Sequence, residues 1–414
     1  MFQFHPRAVQ RDDEELGTAP IPLENPSLCQ LAYCEEDPSI PYATVEVVVV
    51  GLQLRWRGVW QRPNHLLSRI AREVPVIVLE EPLIGERDED EVTAHDGVTV
   101  VTPHRTAKTG DALDARAIET VRSLVASRRA LVWLYTPMML ALADAFPGAP
   151  LVYDKMDELA KFANADPRIS LREDMVLAKA RVVFSGGRSL FNTVRDRTRN
   201  AHCYASGVDV EHFERAREAE RHPALAPYRG GPVFGYVGVI DERIDLELVG
   251  ALAAAYPDAT VAMIGPLAKI EESALPRRAN IAYLGKREYA ELPSILAGFD
   301  VALMPFALNE HTANISPTKT LEYLAAGLPV VSTAVPDVVA DHADVVHVAR
   351  DRAEFVAFVA HARRPDETRA QRAAAKARAA TWDAIAAAMR RDLEAAGIGY
   401  AAASPARSSS AAFA

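Results

Sequence analysis

Two charged residues, Lys319 and Glu322, stand in a segment that otherwise carries no charge, residues 314–333, whose sequence is NISPTKTLEYLAAGLPVVST. This pattern predicts a short helix followed by a buried strand. Lys319 falls in the first turn of the helix, where the helix dipole disfavours a positive charge unless an anion such as phosphate binds there. Glu322, one turn deeper, is placed to accept hydrogen bonds from a sugar diol. The segment therefore predicts a phosphate and sugar site, and the alternative is a pair of solvated surface residues.

The ends of that helix are predicted from its capping residues. Ser316 is a natural N-cap, and Pro317 fits the first helical position because its missing N–H costs nothing there. Gly327 suits the position after the last helical residue, so the predicted helix covers 317–326. Thr318 lies in its first turn, along the edge of the apolar face.

A second candidate anion site follows the predicted strand in GYVGVIDERIDLELV, which has Gly238 at its tip. Arg243 is placed to hold a diphosphate by bidentate hydrogen bonds, and Asp241 precedes it. The alternative is a surface arginine paired with Asp241 or Asp245. A further strand ends at Gly265, where close approach of a base or ribose is possible. A full Gly-x-Gly-x-x-Gly is absent, which argues against a nicotinamide cofactor.

The loop QLRWRGVWQRP follows the first predicted strand and concentrates Arg57, Gly58, Trp60 and Arg62. The glycine permits close approach of the backbone to a donor phosphate. Aromatic and guanidinium groups suit a sugar ring or an anionic acceptor. The alternative is a surface loop around a buried Trp60.

A later predicted strand ends in VYDKMDE, which supplies Asp154 and Asp157. Either carboxylate could bind acceptor hydroxyls or act as a base, and a structural role at the strand end is the alternative. Their Asp-x-x-Asp spacing does not indicate a metal site. No Cys/His spacing resembles a zinc site either, so no metal is expected.

Predicted strands alternate with predicted helices along the chain, and these elements must position the candidate residues. It predicts parallel sheets with helices on both faces. The series restarts after the segment CYASGVDVEHFERAREAERHP, so the fold class is α/β with two doubly wound Rossmann-like domains facing each other across a cleft. Ligands of such sheets bind beyond the carboxyl ends of the strands.

Composition shifts predict the boundaries of these domains. The expected parts are an N-terminal tail or arm (1–42), a first domain on the acceptor side (43–205), a second domain for the nucleotide sugar (206–380), a C-terminal helix that could return to the first domain (381–397) and a low-complexity tail (398–414).

Charge and cysteine content limit the function classes. The chain has 414 residues and a formal net charge of -10, which argues against a general nucleic-acid binder. Three cysteines make no framework of bridges, the N-terminus is charged, and no apolar run approaches the roughly 20 residues of a membrane span. A cytoplasmic protein is therefore expected. The inner face of the membrane is the alternative, reached through Arg62, Arg69 and Arg72, although a solvated helix face would look the same.

The combined order of four segments resembles that of GT-B glycosyltransferases of the large group 1 (GT4-like) type. NISPTKTLEYLAAGLPVVST resembles their nucleotide-sugar signature, and ASGVDVEHF is similar to the element that joins their two domains. WQRPNHLLSRIA resembles the start of their first helix, and YLGKREYAELPSILAGFDVALMPF resembles the approach to the signature. The resemblance covers residues 44–395.

The resemblance implies roles for individual residues. Glu322 matches the second glutamate of the family's Glu-x7-Glu pattern, which binds the nucleotide ribose. Residues 316–319 correspond to the segment that holds the diphosphate, and Arg243 falls where a basic residue contacts the leaving phosphates. Asn314 replaces the first glutamate of the pattern; an amide can hydrogen-bond a sugar hydroxyl, but it cannot act as a base. The family usually needs no metal and often retains the anomeric configuration.

These observations predict a glycosyltransferase that moves a sugar from a nucleotide diphosphate sugar, UDP- or GDP-linked, to a hydroxyl of a saccharide or lipid-linked acceptor. Synthesis of a cell-surface polysaccharide or glycoconjugate is the expected setting, with no cofactor beyond the substrates. The alternatives are a nucleotide-sugar epimerase of the same fold and a non-catalytic nucleotide-sugar-binding partner. The sequence does not indicate the oligomeric state.

Overall fold

A computed structural model of the chain describes residues 31–34 (backbone only), 42–107, 113, 115–162, 165–228 and 230–401. Most of the predicted N-terminal arm and most of the predicted low-complexity tail lie outside these described residues. The described part is built on two large sheets, each of which has its own buried apolar core.

The first domain contains, in chain order, β1 (Leu31–Cys34), β2 (Ala43–Val45), β3 (Val47–Leu52), α1 (Arg62–Ile70), β4 (Val76–Glu80), β5 (Leu83–Ile84), β6 (Glu89–His95), β7 (Val98–Arg105), α2 (Ala115–Val125), β8 (Ala130–Leu134), α3 (Leu140–Asp144), β9 (Leu151–Lys155), α4 (Ile169–Lys179), β10 (Val182–Ser185), α5 (Arg188–Val194) and β11 (Asn200–Cys203).

The strands of the first domain form one sheet in the order β1-β11-β10-β9-β8-β3-β4-β7-β5, with β6 paired to β7. Its central strands are parallel, and β3 (VVVVGL) is buried along its whole length, as expected for a strand covered on both faces. Residues 31–34 were predicted to lie in an irregular arm, but they form an antiparallel edge strand on β11. The prediction was wrong because an edge strand pairs with a neighbour on one side only, so the strand pattern in its sequence is weak.

The second domain contains α6 (Val210–Glu214), β12 (Val233–Val237), α7 (Leu246–Ala255), β13 (Thr260–Ile264), β14 (Ile281–Tyr283), α8 (Leu292–Leu296), β15 (Val301–Met304), α9 (Lys319–Ala325), β16 (Val330–Thr333), α10 (Pro336–His342), β17 (His347–Ala349), α11 (Arg352–Ala362) and α12 (Glu367–Ala379). Its sheet is parallel throughout, in the order β14-β13-β12-β15-β16-β17. This order reverses direction at β12, so β12 and β15 border the crevice in which open parallel sheets bind ligands.

The chain returns to the first domain at its end through α13 (Trp382–Ala395) and β18 (Ile398–Tyr400). Thr381 begins α13 as an N-cap whose side chain accepts a hydrogen bond from the Ala384 N–H at 3.1 Å. Trp382 and Ile385 are about 1% exposed and pack in the core of the first domain. β18 pairs with β2, which corrects the prediction that residues 398–400 belong to a low-complexity tail.

None of the helices in the described residues is long and apolar enough to cross a membrane.

Candidate active site

A cavity of about 770 Å³ lies between the two domains, at the carboxyl ends of the central strands. This volume falls within the range of roughly 300–1,000 Å³ that small-molecule sites occupy. The first domain contributes Trp56 and Trp60 to its wall, and the second domain contributes Gly238, Gly265 and Lys319. The cavity therefore lies between the loop QLRWRGVWQRP of the first domain (residues 53–63), which we call the phosphate loop, and the predicted donor segment of the second domain (residues 314–333).

The charged side chains of this wall are mostly cationic. Lys319 and Arg57 were predicted from the sequence, whereas Lys286 and Arg287 were not. Glu288, which forms an ion pair of 3.3 Å with Lys286, and Asp96 are the acidic residues of the wall. The signal for Lys286 and Arg287 was their position: they follow β14 at the same carboxyl edge as Gly265.

Gly238 and Gly265 lie where the chain leaves β12 and β13, as predicted. Gly265 has a φ of +148°, and a Cβ atom on it would lie 1.8 Å from the Gly238 carbonyl oxygen. A side chain at this position is therefore excluded by the backbone. Because Gly238 and Gly265 have no side chains, backbone atoms form this part of the cavity wall. A flat or charged group of a ligand can therefore lie close to them.

Helix α9 begins at Lys319, two residues later than predicted, and Thr318 occupies the N-cap position without a side-chain cap. The prediction that Ser316 is the N-cap is therefore wrong. Lys319 Nζ lies 2.6 Å from Glu322 Oε2, and the Glu322 side chain is only 5% exposed. This ion pair explains how a lysine is tolerated in the first turn. Lys319 lines the cavity, whereas the nearly buried Glu322 lies behind it and does not.

The residues before α9 contact the first domain rather than the cavity. Ser316 lies against Gly187 of the first domain, where an added Cβ would approach the Ser316 Cβ to 2.5 Å. Thr318 Oγ1 donates at 2.9 Å to Ser206 Oγ, in the segment that joins the two domains. Pro317 stands between them and accepts a hydrogen bond from the Thr320 N–H at 3.1 Å. Residues 316–318 therefore form part of the contact between the domains.

Asn314 also bridges the two domains. Its Oδ1 accepts a hydrogen bond from Lys161 Nζ at 2.8 Å, and its Nδ2 donates to the Ser189 carbonyl at 3.4 Å. Sequence reasoning missed Lys161, because nothing in a lone lysine of an irregular loop predicts a partner 153 residues away. The amide thus has a hydrogen-bonding role that a glutamate would change by adding charge.

Arg243 forms a bidentate ion pair with Asp241, with Nε–Oδ1 and Nη2–Oδ2 distances of 3.0 and 2.7 Å. This is one of the two pairings that the sequence left open. Asp241 is 3% exposed and aims the guanidinium across the cleft toward the Phe162 ring, whose centroid lies 6.0 Å from Arg243 Cζ. Nη1 is the guanidinium nitrogen that does not pair with Asp241, and Arg243 itself lies outside the wall of the cavity.

Asp157 lies half-buried on the other side of this contact. Burial raises its pKa to about 6, against the opposing effect of the nearby cations Arg243 and Lys269. Lys269 Nζ sits 3.8 Å from the centroid of the Phe162 ring, a close cation–π contact between the domains. A carboxyl group with a pKa near neutrality suits a general base, which strengthens the case for Asp157 over Asp154.

The raised pKa of Asp157 predicts a pH dependence of stability. Between pH 4 and 6 the folded chain holds a proton that the unfolded carboxyl, with an ordinary pKa of 3.8, has released. The contribution of Asp157 to the free energy of unfolding is therefore full below pH 4 and is lost as the pH rises through 6. Urea unfolding of wild type and Asp157→Asn at pH 4.5 and 6.5 measures it: wild type should lose stability relative to the variant at the higher pH. A difference that does not change with pH would contradict this assignment.

Asp154 and Arg62 are corrected by the structure. They form a buried ion pair, 3.0 Å between Arg62 Nε and Asp154 Oδ1, with side chains 3% and 0% exposed. Arg62 also donates to the Tyr204 carbonyl at 2.7 Å. Both side chains are buried and paired with each other, which keeps them from an acceptor or a lipid surface; together they hold the start of α1 against the end of β9.

Arg57, Gly58 and Trp60 remain at the wall of the cavity as predicted. Gly58 closes a turn in which its N–H donates to the Arg55 carbonyl at 2.9 Å. Trp60 Nε1 donates to His65 Nδ1 at 3.2 Å, and the Trp60 ring lies 6.0 Å from that of Tyr289 in the second domain. Aromatic contacts therefore join the phosphate loop to the opposite wall.

Sequence reasoning missed most of this aromatic cluster. His65 stacks on Trp382 of α13 at 4.7 Å, and Tyr289 stacks on His212 at 4.3 Å. Burial lowers the pKa of His65 well below its ordinary value, so it packs as a neutral ring. The cluster positions Trp60 because it fixes the neighbouring rings from both domains. Among the described residues, no three His, Cys, Asp or Glu side chains converge as a metal site would require.

Part of the second domain matches a known protein family. Residues 231–363 match the family model for glycosyl transferases group 1. The protein TuaH of Bacillus subtilis (strain 168), whose name assigns it to teichuronic acid biosynthesis as a glycosyltransferase, is 30% identical over 138 residues. That match covers 33% of this chain and 34% of TuaH, about a third of each protein.

Solved structures resemble the whole described chain. Sucrose-phosphate synthase from Thermosynechococcus elongatus superposes with a TM-score of 0.63 at 15% identity, covering 85% of this chain and 100% of that one. HepE of Anabaena, in complex with UDP-glucose, gives a TM-score of 0.64 at 13% identity, covering 84% and 99%. At these identities the likeness shows the fold, and these neighbours share the GT-B fold. The chain therefore has the GT-B fold that these structures share, and its residues 231–363 match the model for glycosyl transferases group 1.

Proposed function

We propose that this protein transfers a glycosyl group from a nucleotide diphosphate sugar, UDP- or GDP-linked, to a hydroxyl of a saccharide or lipid-linked acceptor. The observation that carries the proposal is the cavity between the domains, where Lys319 stands beside the bare backbone of Gly238 and Gly265. The group 1 domain match includes all three residues. TuaH, whose name assigns it to teichuronic acid biosynthesis, supports polysaccharide or glycoconjugate synthesis as the setting.

The charges of the cavity fit a diphosphate. Lys319, Lys286, Arg287 and Arg57 supply four cations to a wall with two acidic residues, in a chain whose net charge is -10. Cations fixed before the substrate arrives stabilise negative charge without reorganisation, which is commonly the largest catalytic contribution. We therefore propose a reaction in which these cations, without a metal, offset the charge of the diphosphate.

The reaction breaks the bond between the anomeric carbon and the diphosphate oxygen and forms a bond from that carbon to the acceptor oxygen. Negative charge builds on the departing diphosphate, where Lys319 and Nη1 of Arg243 can offset it. The acceptor hydroxyl loses its proton, and Asp157 is our candidate to receive it. Glu322 would hold the ribose hydroxyls, and Asn314 would offer its amide to the donor sugar.

Contacts between the domains would exclude water from the reacting atoms. The Asn314 amide and the Phe162 ring each join one domain to the other at the edge of the cleft. The Thr318 hydroxyl contacts Ser206 in the segment between the domains. A closed cleft favours transfer to the acceptor over hydrolysis of the donor.

We propose that the protein works in the cytoplasm. Contact with the membrane through Arg69 and Arg72 is a finer proposal; both arginines pair with Asp383.

Thermal unfolding with a panel of UDP, GDP, ADP and dTDP sugars tests the donor class. At about 100 times its dissociation constant, a ligand adds roughly 2.7 kcal/mol to the free energy of unfolding, which is visible as a raised Tm. We expect one nucleotide series to stabilise the chain and to be consumed when an acceptor pool is added. No stabilisation by any nucleotide sugar would contradict the proposal. Stabilisation with donor turnover but no acceptor product, followed by NMR, would indicate an epimerase instead, and binding without turnover would indicate a non-catalytic partner.

A further inference from the structure

The predicted donor segment and the helix that follows it both contact one short stretch of the first domain. This stretch, residues 187–189, leads from β10 into α5, and we call it the α5 turn. Near the start of the segment, Asn314 Nδ2 donates to the Ser189 carbonyl at 3.4 Å, and Ser316 packs against Gly187. Beyond its end, α10 follows β16 after a short connection and meets the same turn through Asp337.

The carboxylate of Asp337 is held by the first domain. The residue is 2% exposed, and its Oδ1 accepts hydrogen bonds from the Ser189 backbone N–H at 3.0 Å and from the Ser189 hydroxyl. Burial raises the pKa of Asp337, and the hydrogen bonds from Ser189 oppose that effect. Since a buried carboxylate is costly without such partners, its partners tie α10 to the α5 turn.

An ion pair reinforces this contact one turn further along α10. Arg188 donates to Asp341 Oδ1 through Nη2 at 2.7 Å and through Nε at 3.2 Å. Hydrogen bonds between charged groups are stronger than neutral ones. Consecutive residues of α5 therefore hold two carboxylates of the same second-domain helix.

The glycine of the turn is explained by the second domain and not by its own backbone. Gly187 has a φ of -179°, which is extended backbone that any residue can adopt. A Cβ atom there would lie 2.5 Å from the Ser316 Cβ, and the three nearest atoms to it all belong to Ser316 and Asp337. A side chain at this position would therefore separate the domains without straining the first domain itself.

The contact determines where the cavity cation stands. Helix α9, which carries Lys319 into the cavity wall, lies between Ser316 and Asp337 in the chain. A methyl group on Gly187 would have to move about 1 Å from the Ser316 Cβ to reach an ordinary contact of 3.4 Å. A shift of this size at a reacting centre costs about 10²-fold in rate.

We propose that Gly187 and Ser189 are positioning residues, which hold the donor segment, and with it Lys319, against the first domain during transfer. The effect on rate rests on the proposed glycosyl transfer, whereas the contact itself does not.

Hydrogen–deuterium exchange of the full chain, without substrate, tests the contact. Gly187→Ala should make peptides from residues 187–194 and 336–342 exchange about tenfold faster, because the Ser189 N–H loses its acceptor. The buried strand β10 should keep its protection. Gly85→Ala is the matched control, since Gly85 is exposed and an added Cβ there has no atom within 4 Å. It should leave both peptides unchanged.

Steady-state kinetics measures the effect on transfer, with the UDP- or GDP-sugar that stabilises the wild-type chain. Gly187→Ala should lower kcat about 10²-fold. Its calorimetric dissociation constants for UDP and GDP should change by less than about threefold, because the proposed ribose and diphosphate contacts, Glu322 and Lys319, belong to the second domain. A merely structural defect would weaken nucleotide binding as well.

A second substitution provides the rescue. Gly187→Ala/Ser316→Gly removes the Cβ atom that the new methyl group meets, so it should recover part of kcat and part of the slow exchange. Ser189→Ala removes only the hydroxyl and keeps the N–H, so its effects on both should point the same way and be smaller than those of Gly187→Ala.

Unchanged exchange of both peptides in Gly187→Ala would overturn the proposal. So would faster exchange that extends through β10 and is not reduced by Ser316→Gly, which would show damage within the first domain. Exchange needs no substrate, so the two proposals fail separately. If the wild-type chain transfers no sugar but Gly187→Ala exchanges as expected, the proposed function is wrong and the contact stands.

Discussion

Replacing Lys319 with alanine is expected to lower glycosyl transfer about 10²- to 10³-fold, because it removes a fixed cation from the position where the leaving diphosphate gains charge. The same change removes the ion-pair partner, at 2.6 Å, of the nearly buried Glu322 carboxylate. We therefore also expect a loss of about 1–3 kcal/mol in the free energy of unfolding. Steady-state kinetics and urea unfolding on the same preparation separate the two effects.

The double variant Lys319→Ala/Glu322→Gln is the matched control for this prediction. It removes both charges of the pair, so no unpaired carboxylate remains and stability should recover in part. Turnover should not recover, since the cation is still missing and the proposed ribose-binding carboxylate is lost as well. Recovery of turnover together with stability would mean that Lys319 acts only through folding, and full turnover in Lys319→Ala would remove the lysine from the mechanism.

Replacing Asp154 with alanine is expected to cost about 3–5 kcal/mol of stability, the largest structural effect that we predict. The change leaves the guanidinium of Arg62 without its carboxylate in an interior where both side chains are at most 3% exposed. Urea unfolding measures the loss directly. Arg62→Met/Asp154→Leu, which replaces the pair with apolar groups, should recover a substantial part of it.

A loss below about 1 kcal/mol in Asp154→Ala would contradict the description of a buried pair and would fit a solvated carboxylate at the edge of the cleft. Exposed Asp166, which pairs with its neighbour Arg168, serves as the comparison. Asp166→Ala removes a surface pair of similar composition, and its effect on stability should be much smaller than that of Asp154→Ala.

Local pattern predicted the elements that recur and those that bury a continuous apolar run. β3 is such a run, and its alternation with α1 and β4 is enough to imply a parallel sheet with covered faces. The tips Gly238 and Gly265 were predictable for the same reason, because a glycine directly after a buried strand marks the ligand edge. Lys319 and Glu322 stood out because their charges conflict with an apolar helix.

Contacts that depend on distant partners could not be predicted in this way. Asp154 and Asp157 are three residues apart and look equivalent in the sequence, yet one meets Arg62 in the interior and the other meets Arg243 and Lys269 across the cleft. Ser316 is a residue type that favours the N-cap, but it packs against Gly187 because the contact between the two domains outweighs local capping. Only the fold decides such choices between similar residues.

Determination of the structure with a bound nucleotide sugar tests the central proposal most directly. We predict that the diphosphate lies in the cavity between Gly238, Gly265 and Trp60, within hydrogen-bond distance of Lys319 Nζ, and that the ribose hydroxyls contact Glu322. A nucleotide bound outside this cavity, with Lys319 still paired only to Glu322 and no phosphate beside it, would contradict the account.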